Sequence, residues 1–232
     1  MNGLLIIDKP AGMTSFDVVR QVRRMTKTRR VGHAGTLDPM ATGVLPVAVG
    51  TATRLIEYLM AGDKAYRANL KLGSATDTQD SEGQVLEEKP WHDIDRAAVN
   101  AAVENFIGEI DQLPPMYSAL KKDGQPLYKL ARQGVEVDRE PRRVHVESLT
   151  IDEFSPPYMT FTVTCSKGTY VRTLCHDIGQ ILGCGAHMID LRRLSCGRFD
   201  LAASHPLQVF KELSEQGRPL PFLSLAEILA VW

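Results

Sequence analysis

Cysteine is scarce in this 232-residue chain: four residues, at 165, 175, 184 and 196, with none in the first 160 positions. Their spacings of 10, 9 and 12 leave no C-x-x-C pair, which excludes the usual zinc-site patterns and argues against a disulfide framework. Four free thiols in a reducing compartment are expected. Aromatic residues make up only 6%. Long apolar runs are missing too. Val44–Val49 and Leu225–Trp232 are the longest, well short of the ~20 residues that cross a bilayer. The stretch Met1–Lys9 is charged by its eighth residue and lacks a secretory pattern, so a cytoplasmic protein is expected. Charge of one sign is also absent: 27 Lys and Arg stand against 28 Asp and Glu, a net −1. A polyanion-binding arm along the whole chain is thereby excluded, but a local basic patch is not.

What is present is ordinary for a folded domain, 44% hydrophobic and 24% charged. The length suffices for a sizeable core without staples and allows one large domain or two small ones. Neither an internal repeat nor a low-complexity tract is visible. Leu4–Ile7, ending in Asp8-Lys9-Pro10-Ala11-Gly12, reads as strand then turn. Ser15 is expected to cap a helix whose inner face is Val18, Val19, Val22 and Met25 and whose outer face is Arg20, Arg23, Arg24 and Lys27. Gly32–Thr42 reads as a loop, Val44–Val49 as a buried strand, and Leu55, Ile56, Leu59 and Met60 as a helix. Alternation from Tyr66 to Leu72 predicts a half-buried strand. Thr76–Pro90 is polar and acidic and is expected to be exposed. A helix is expected after Asp95. Residues 111–143, with Pro114-Pro115, Gly124, Pro126 and many cations, are expected to project, with one short helix near Leu127–Arg132. Further strands are expected at Val144–Val146, Met159–Cys165 and Ile189–Phe199, with helices over Thr169–Leu182 and after Pro206 and Ser224. With no regular βαβ rhythm, the fold class is α+β with a mixed, mostly antiparallel sheet.

Three features carry possible chemistry. Gly32-His33-Ala34-Gly35-Thr36-Leu37-Asp38-Pro39-Met40-Ala41-Thr42-Gly43 precedes a buried strand. It is neither a P-loop nor a dinucleotide fingerprint. It reads either as a tight turn capped by Asp38 or as a catalytic loop. Cys165–Arg172 follows an alternating strand and opens a helix; Arg172 is either an ordinary surface residue or a partner for a carboxylate or phosphate. Third, cations cluster in three runs: Arg20 to Arg30, Lys121 to Arg143, and Arg192, Arg193 and Arg198. Such runs are either solvated faces or one face for a polyanion.

Taken together, Lys9-Pro10-Ala11-Gly12-Met13-Thr14-Ser15, Gly32–Leu45, Lys64-Ala65-Tyr66, Pro114–Lys121, Ala131–Gly134, Ser166–Arg172 and Leu191-Arg192-Arg193 resemble the TruB family of tRNA pseudouridine synthases, in order and spacing, over roughly residues 2–200. The resemblance implies conversion of uridine 55 in the tRNA T-loop to pseudouridine on a flipped base. It implies one catalytic domain over residues 1–232, with 111–143 as an RNA-clamping segment. Asp38 would be the catalytic aspartate, with Arg172 as its partner. Tyr66 would stack on the flipped base, His33 would lie at the displaced loop nucleotides, and Tyr170 and Leu191 would line the uracil pocket. Lys9 would support the site. Bacterial members usually carry a further PUA-type domain; with the chain ending at Trp232, its absence is expected. The reaction is an isomerisation, so no cofactor or metal is expected. The expected partner is the T-loop and stem of tRNA, met by a monomer away from any membrane. Two other functions stay open on the residues: an RNA-binding chaperone of tRNA folding and a glycoside hydrolase. The hydrolase is disfavoured because the matched motifs hold no second carboxylate.

Overall fold

The computed structural model describes residues 2–230, so Met1, Val231 and Trp232, and with them the end of the apolar stretch Leu225–Trp232, lie outside the described residues. The chain forms two compact units, Met1–Tyr66 with Leu191–Trp232, and Arg67–Asp190.

The first unit begins with β1 (Gly3–Lys9), α1 (Ser15–Thr26), β2 (Val31–His33), β3 (Thr42–Val49), a 3-10 turn at Gly50–Leu55 and α2 (Ile56–Ala61). Strand β4 (Lys64–Leu72) leads out of it. The second unit holds β5 (Ser74–Thr76), β6 (Val85–Glu88), α3 (Arg96–Glu104), β7 (Gly108–Gln112), β8 (Lys121–Lys122), β9 (Gln125–Pro126), α4 (Leu127–Ala131), β10 (Arg142–Ser155), β11 (Tyr158–Cys165) and α5 (Val171–Ile181). Strand β12 (Ala186–Cys196) returns the chain to the first unit, which ends with β13 (Phe199–Asp200), β14 (His205–Pro206), α6 (Leu207–Glu215) and α7 (Leu225–Ala230). Ten strands belong to one sheet, in the order β14-β1-β3-β12-β4-β11-β10-β7, with β2 on β3 and β13 on β12. The β1–β14 and β3–β12 pairs are parallel, while β1–β3, β2–β3, β7–β10, β10–β11 and β12–β13 are antiparallel. The α+β class with a large mixed sheet is therefore as expected.

In the first unit β1 pairs with β3 from Gly3↔Val49 to Lys9↔Gly43. Both strands are buried along nearly their whole length, as near-continuous apolar runs require when both faces are covered. Leu4, Ile6, Val44 and Ala48 pack with Leu59, Phe199 and Ile228 around them. In the second unit β10 and β11 alternate buried and exposed positions, and Asp95 caps α3 through the Ala98 amide, as its position predicts.

Two local expectations are corrected. The cap of α1 is Thr14, not Ser15. Thr14 and Asp17 exchange hydrogen bonds as a capping box, which frees the Ser15 hydroxyl for a distant loop. Likewise the acidic stretch Thr76–Pro90 is not exposed throughout. Ser74, Thr76 and Asp80 are buried because β5 and β6 form a hairpin whose loop folds Asp80 inward beside Met188.

Candidate active site

The loop that carries Asp38 is anchored on several sides by the first unit. Ser15 at the start of α1 accepts from the Leu37 amide at 2.9 Å and donates to the Leu37 carbonyl at 3.2 Å. Arg193 on β12 is 1% exposed and donates to the carbonyls of Val44 (2.7 Å), Gly35 (3.1 Å) and Thr36 (3.5 Å). Lys9, at the end of β1, donates to the carbonyls of Pro10 (2.9 Å), Met13 (2.7 Å) and Pro39 (3.3 Å). The Gly12 amide also reaches the Pro39 carbonyl, and the Ala41 amide reaches that of Asp38. Gly43 sits at φ 106°, and a Cβ there would run into the Arg193 backbone that β3 pairs with. Only glycine meets both conditions.

Lys9 lies within electrostatic reach of the half-buried Asp38, and the Arg193 charge acts on both Lys9 and His33. Burial draws the Lys9 pKa down to about 8; Arg193 pushes the same way and Asp38 opposes it. Lys9 still carries its proton at pH 7, and Asp38 lies within its electrostatic reach. All three of the Lys9 hydrogen bonds go to backbone carbonyls. Burial, then the Arg193 charge, lower the His33 pKa, so His33 is neutral near pH 7, and its buried Nδ1 has no hydrogen-bond partner among the described residues. Leu191 is buried on β12 and Tyr66 is half-buried on β4. Arg192, next to Arg193, faces the other side of the strand, as a period of two requires. It pairs with Asp8 at 2.8 Å and donates to Thr42 Oγ1 at 3.3 Å.

The remaining two expected residues belong to the second unit. Tyr170 precedes α5, and its backbone is clamped by Gln112. The Tyr170 amide donates to Gln112 Oε1 at 2.8 Å, and Gln112 Nε2 donates to the Tyr170 carbonyl at 3.1 Å. Arg172 lies on the first turn of α5, its guanidinium 5.9 Å from the Tyr170 ring centroid. Arg172 is buried, not on the surface. It donates to Asp80 at 3.3 Å and to the Tyr117 carbonyl. Asp80 in turn accepts from Thr78 Oγ1 at 2.6 Å and the Glu82 amide at 3.1 Å. A guanidinium held this way is pre-oriented, because its neighbours are themselves fixed.

Residues 23–171 match the sequence profile of the TruB family pseudouridylate synthase N-terminal domain, and residues 172–221 match that of the tRNA pseudouridylate synthase B C-terminal domain. The chain belongs to the TruB family. Among its relatives is tRNA pseudouridine synthase B of Syntrophotalea carbinolica, 56% identical over 99% of this chain and 75% of that protein. The Pseudomonas aeruginosa protein of the same name is 48% identical over 94% of this chain and 72% of its own length. A solved Cbf5-Nop10-Gar1 complex contains a chain that superposes with a TM-score of 0.72 at 31% identity, over 94% of this chain. A structure of an H/ACA RNP bound to a substrate RNA containing 2'-deoxyuridine gives 0.69 at 28% identity, over 94% of this chain. This chain spans 57% and 56% of those two chains.

The TruB motifs thus fall as five residues in the first unit (Lys9, His33, Asp38, Tyr66, Leu191) and two in the second (Tyr170, Arg172). Sequence reasoning missed Asp80 and Arg193. It placed Arg193 in a basic patch, whereas the guanidinium is buried on carbonyls. Alternation along β12 was the available signal, since it puts Arg193 on the same face as the buried Leu191. Among the described residues no group of three His, Cys, Asp or Glu side chains could hold a metal ion, and no helix is long and apolar enough to cross a membrane.

Helix α5 also carries a half-buried acid, Asp177. Burial raises the Asp177 pKa from 3.8 to about 6. A carboxyl with a raised folded pKa binds its proton more tightly when folded, so stability falls as pH rises from about 4 to about 6. Asp177→Asn is therefore expected to gain about 1–2 kcal/mol above pH 6, with water screening allowed for, and to flatten that decline. Urea midpoints between pH 4 and 8 measure it; equal midpoints at pH 7.5 would refute it.

Proposed function

We propose that the chain converts uridine 55 in the T-loop of tRNA to pseudouridine, acting as a single chain in the cytoplasm, with Asp38, Tyr66 and Arg172 carrying the reaction. The N1–C1′ bond breaks and uracil departs with the electron pair. The electron-poor C1′ is met by the Asp38 carboxylate, which either adds to it or removes the C2′ proton. The base turns and C5 bonds to C1′. On the addition route this breaks the Asp38–C1′ bond and releases the carboxylate; on the elimination route Asp38 returns its proton to C2′. The C5 proton then leaves as N1 is protonated. Atoms and electrons balance without an external reactant.

What supports this reading best is the rigidity of the Asp38 loop. Ser15, Lys9 and Arg193 hold the backbone on either side of the carboxylate, which lowers the cost of organising charge in the transition state. The target base must leave its stack to be reached. Tyr66 provides a stacking partner worth about 1–3 kcal/mol, and its hydroxyl is placed in the C5 deprotonation step. Tyr170 and Leu191 line the uracil pocket, His33 faces the displaced nucleotides, and residues 111–143 clamp the T-loop.

Incubation of a tRNA transcript followed by base mapping tests the proposal. Pseudouridine at position 55 supports it. Released uracil would mean a glycoside hydrolase, and binding without product would mean an RNA-binding folding assistant. Hydrogen exchange with the same tRNA reads the clamp, since unchanged protection across 111–143 would remove that segment from the interface.

A further inference from the structure

Helix α1 has two different faces. Val18, Val19 and Val22 are buried, while Phe16, Arg20, Arg24 and Lys27 are exposed. Phe16 is 53% exposed, an unusual place for a phenylalanine on the first turn of a helix with a sound apolar face. The guanidinium carbons of Arg20 and Arg23 stand 5.9 and 5.5 Å from its ring centroid. Arg29 and the largely exposed Arg30 continue the basic surface past the helix end. Asp17 is the single acid in this stretch and is engaged by Arg20 and the Thr14 cap. Among the described residues, no carboxylate forms a salt bridge with Arg23, Arg24, Lys27, Arg29 or Arg30.

Favourable interaction with the helix dipole accounts for Arg23 and Arg24 in the last turn. It does not account for an exposed ring beside two guanidiniums, or for cations beyond the helix. Nor does the face suit a bilayer. An interfacial helix turns its apolar residues outward to lipid, and here the valines are inside. Guanidinium forks fit phosphate oxygens, and a half-exposed ring beside them offers a base a stacking surface.

We propose that the outer face of α1 is a second RNA-docking surface, which takes backbone phosphates of the substrate several nucleotides away from the target, with Phe16 as a stacking platform. The inference rests on the reading that RNA is the substrate. The distance follows from the fold. Ser15 at the start of α1 is bonded to Leu37, beside Asp38, and Lys27 follows the far end, about 18 Å along the axis at 1.5 Å per residue. Cations there are out of reach of a nucleotide held at Asp38. They supply affinity and register rather than chemistry.

The test compares wild type with the triple variant Arg24→Gln, Lys27→Asn, Arg29→Gln and with Phe16→Ala and Phe16→Trp. Filter retention of a tRNA transcript is measured across a salt series, and thermal midpoints check that every variant is folded. The triple variant is expected to bind about tenfold or more weakly at low salt, with the slope of log affinity against log salt shallower by about 2–3, as for three lost phosphate contacts. Phe16→Ala is expected to weaken binding about tenfold, and Phe16→Trp to restore it. Single-turnover product formation at saturating enzyme should be unchanged, because none of these residues holds the Asp38 loop. Unchanged affinity and slope in folded variants would overturn the inference. So would wild-type flotation on phosphatidylglycerol vesicles, lost in the triple variant while RNA affinity stays put. If wild type forms no pseudouridine, the proposed function fails, while the salt slopes still judge the α1 surface on their own.

Discussion

Asp38→Asn is expected to lower single-turnover pseudouridine formation by at least about 10³-fold, roughly 4 kcal/mol of barrier, while tRNA retention on filters stays close to wild type. Asparagine matches aspartate in shape, and much of the loop is held through its backbone. The bonds that fix it run from Ser15, Lys9 and Arg193 to backbone groups of residues 35–39 and 44. Loss of charge is thus separated from loss of structure. The carboxylate is needed where positive charge develops at C1′, so the loss should appear in the chemical step and not in binding. Lys9 would lose the attraction that opposes its burial, a secondary effect visible in a lower Lys9 pKa. Wild-type turnover by Asp38→Asn would return the Gly32–Gly43 loop to a mere turn.

The second large effect is expected at the buried pair of the second unit. Asp80→Asn removes the charge that Arg172 reaches at 3.3 Å, in a pair whose side chains are 3% and 6% exposed. Removing one buried charged partner of Arg172 is expected to cost about 3 kcal/mol of stability, the low end for such pairs, because the Tyr117 carbonyl still accepts from Arg172. Catalysis should fall further than stability explains, since Arg172 then loses its fixed orientation. Arg172→Lys keeps the charge but not the fork that spans Asp80 and Tyr117, and should also form product slowly while binding tRNA. Denaturant midpoints separate the two effects from single-turnover rates. If Asp80→Asn matches wild type in both, the pair has neither role.

Much of this was legible in the chain. Apolar runs at Leu4–Ile7 and Val44–Val49 became the buried, paired strands β1 and β3. Asp95 caps α3 as its position predicts, and the short helix expected near Leu127–Arg132 is α4. These readings succeed because they depend on neighbours within a few residues. Motif order and spacing were equally direct, and the family profiles cover every quoted motif from Gly32 onward.

What the sequence determined alone was therefore the α+β class, the family and the residues that carry its motifs. The tertiary structure decided where the charges went. Composition made Asp80 part of an exposed acidic loop, and folding paired it with an arginine 92 positions away. Charge counting put Arg193 in a patch, yet the parallel pairing of β12 with β3 directed it onto carbonyls about 150 positions distant. Ser15 looked like a cap, but its neighbour Thr14 took that role and left the hydroxyl for Leu37, 22 residues on. A charged or hydroxyl group is costly to bury without a partner, and long-range strand pairing brings in the partner. The physical reason is that burial depends on what packs against a residue, and for these three residues those neighbours are 22 to about 150 positions away.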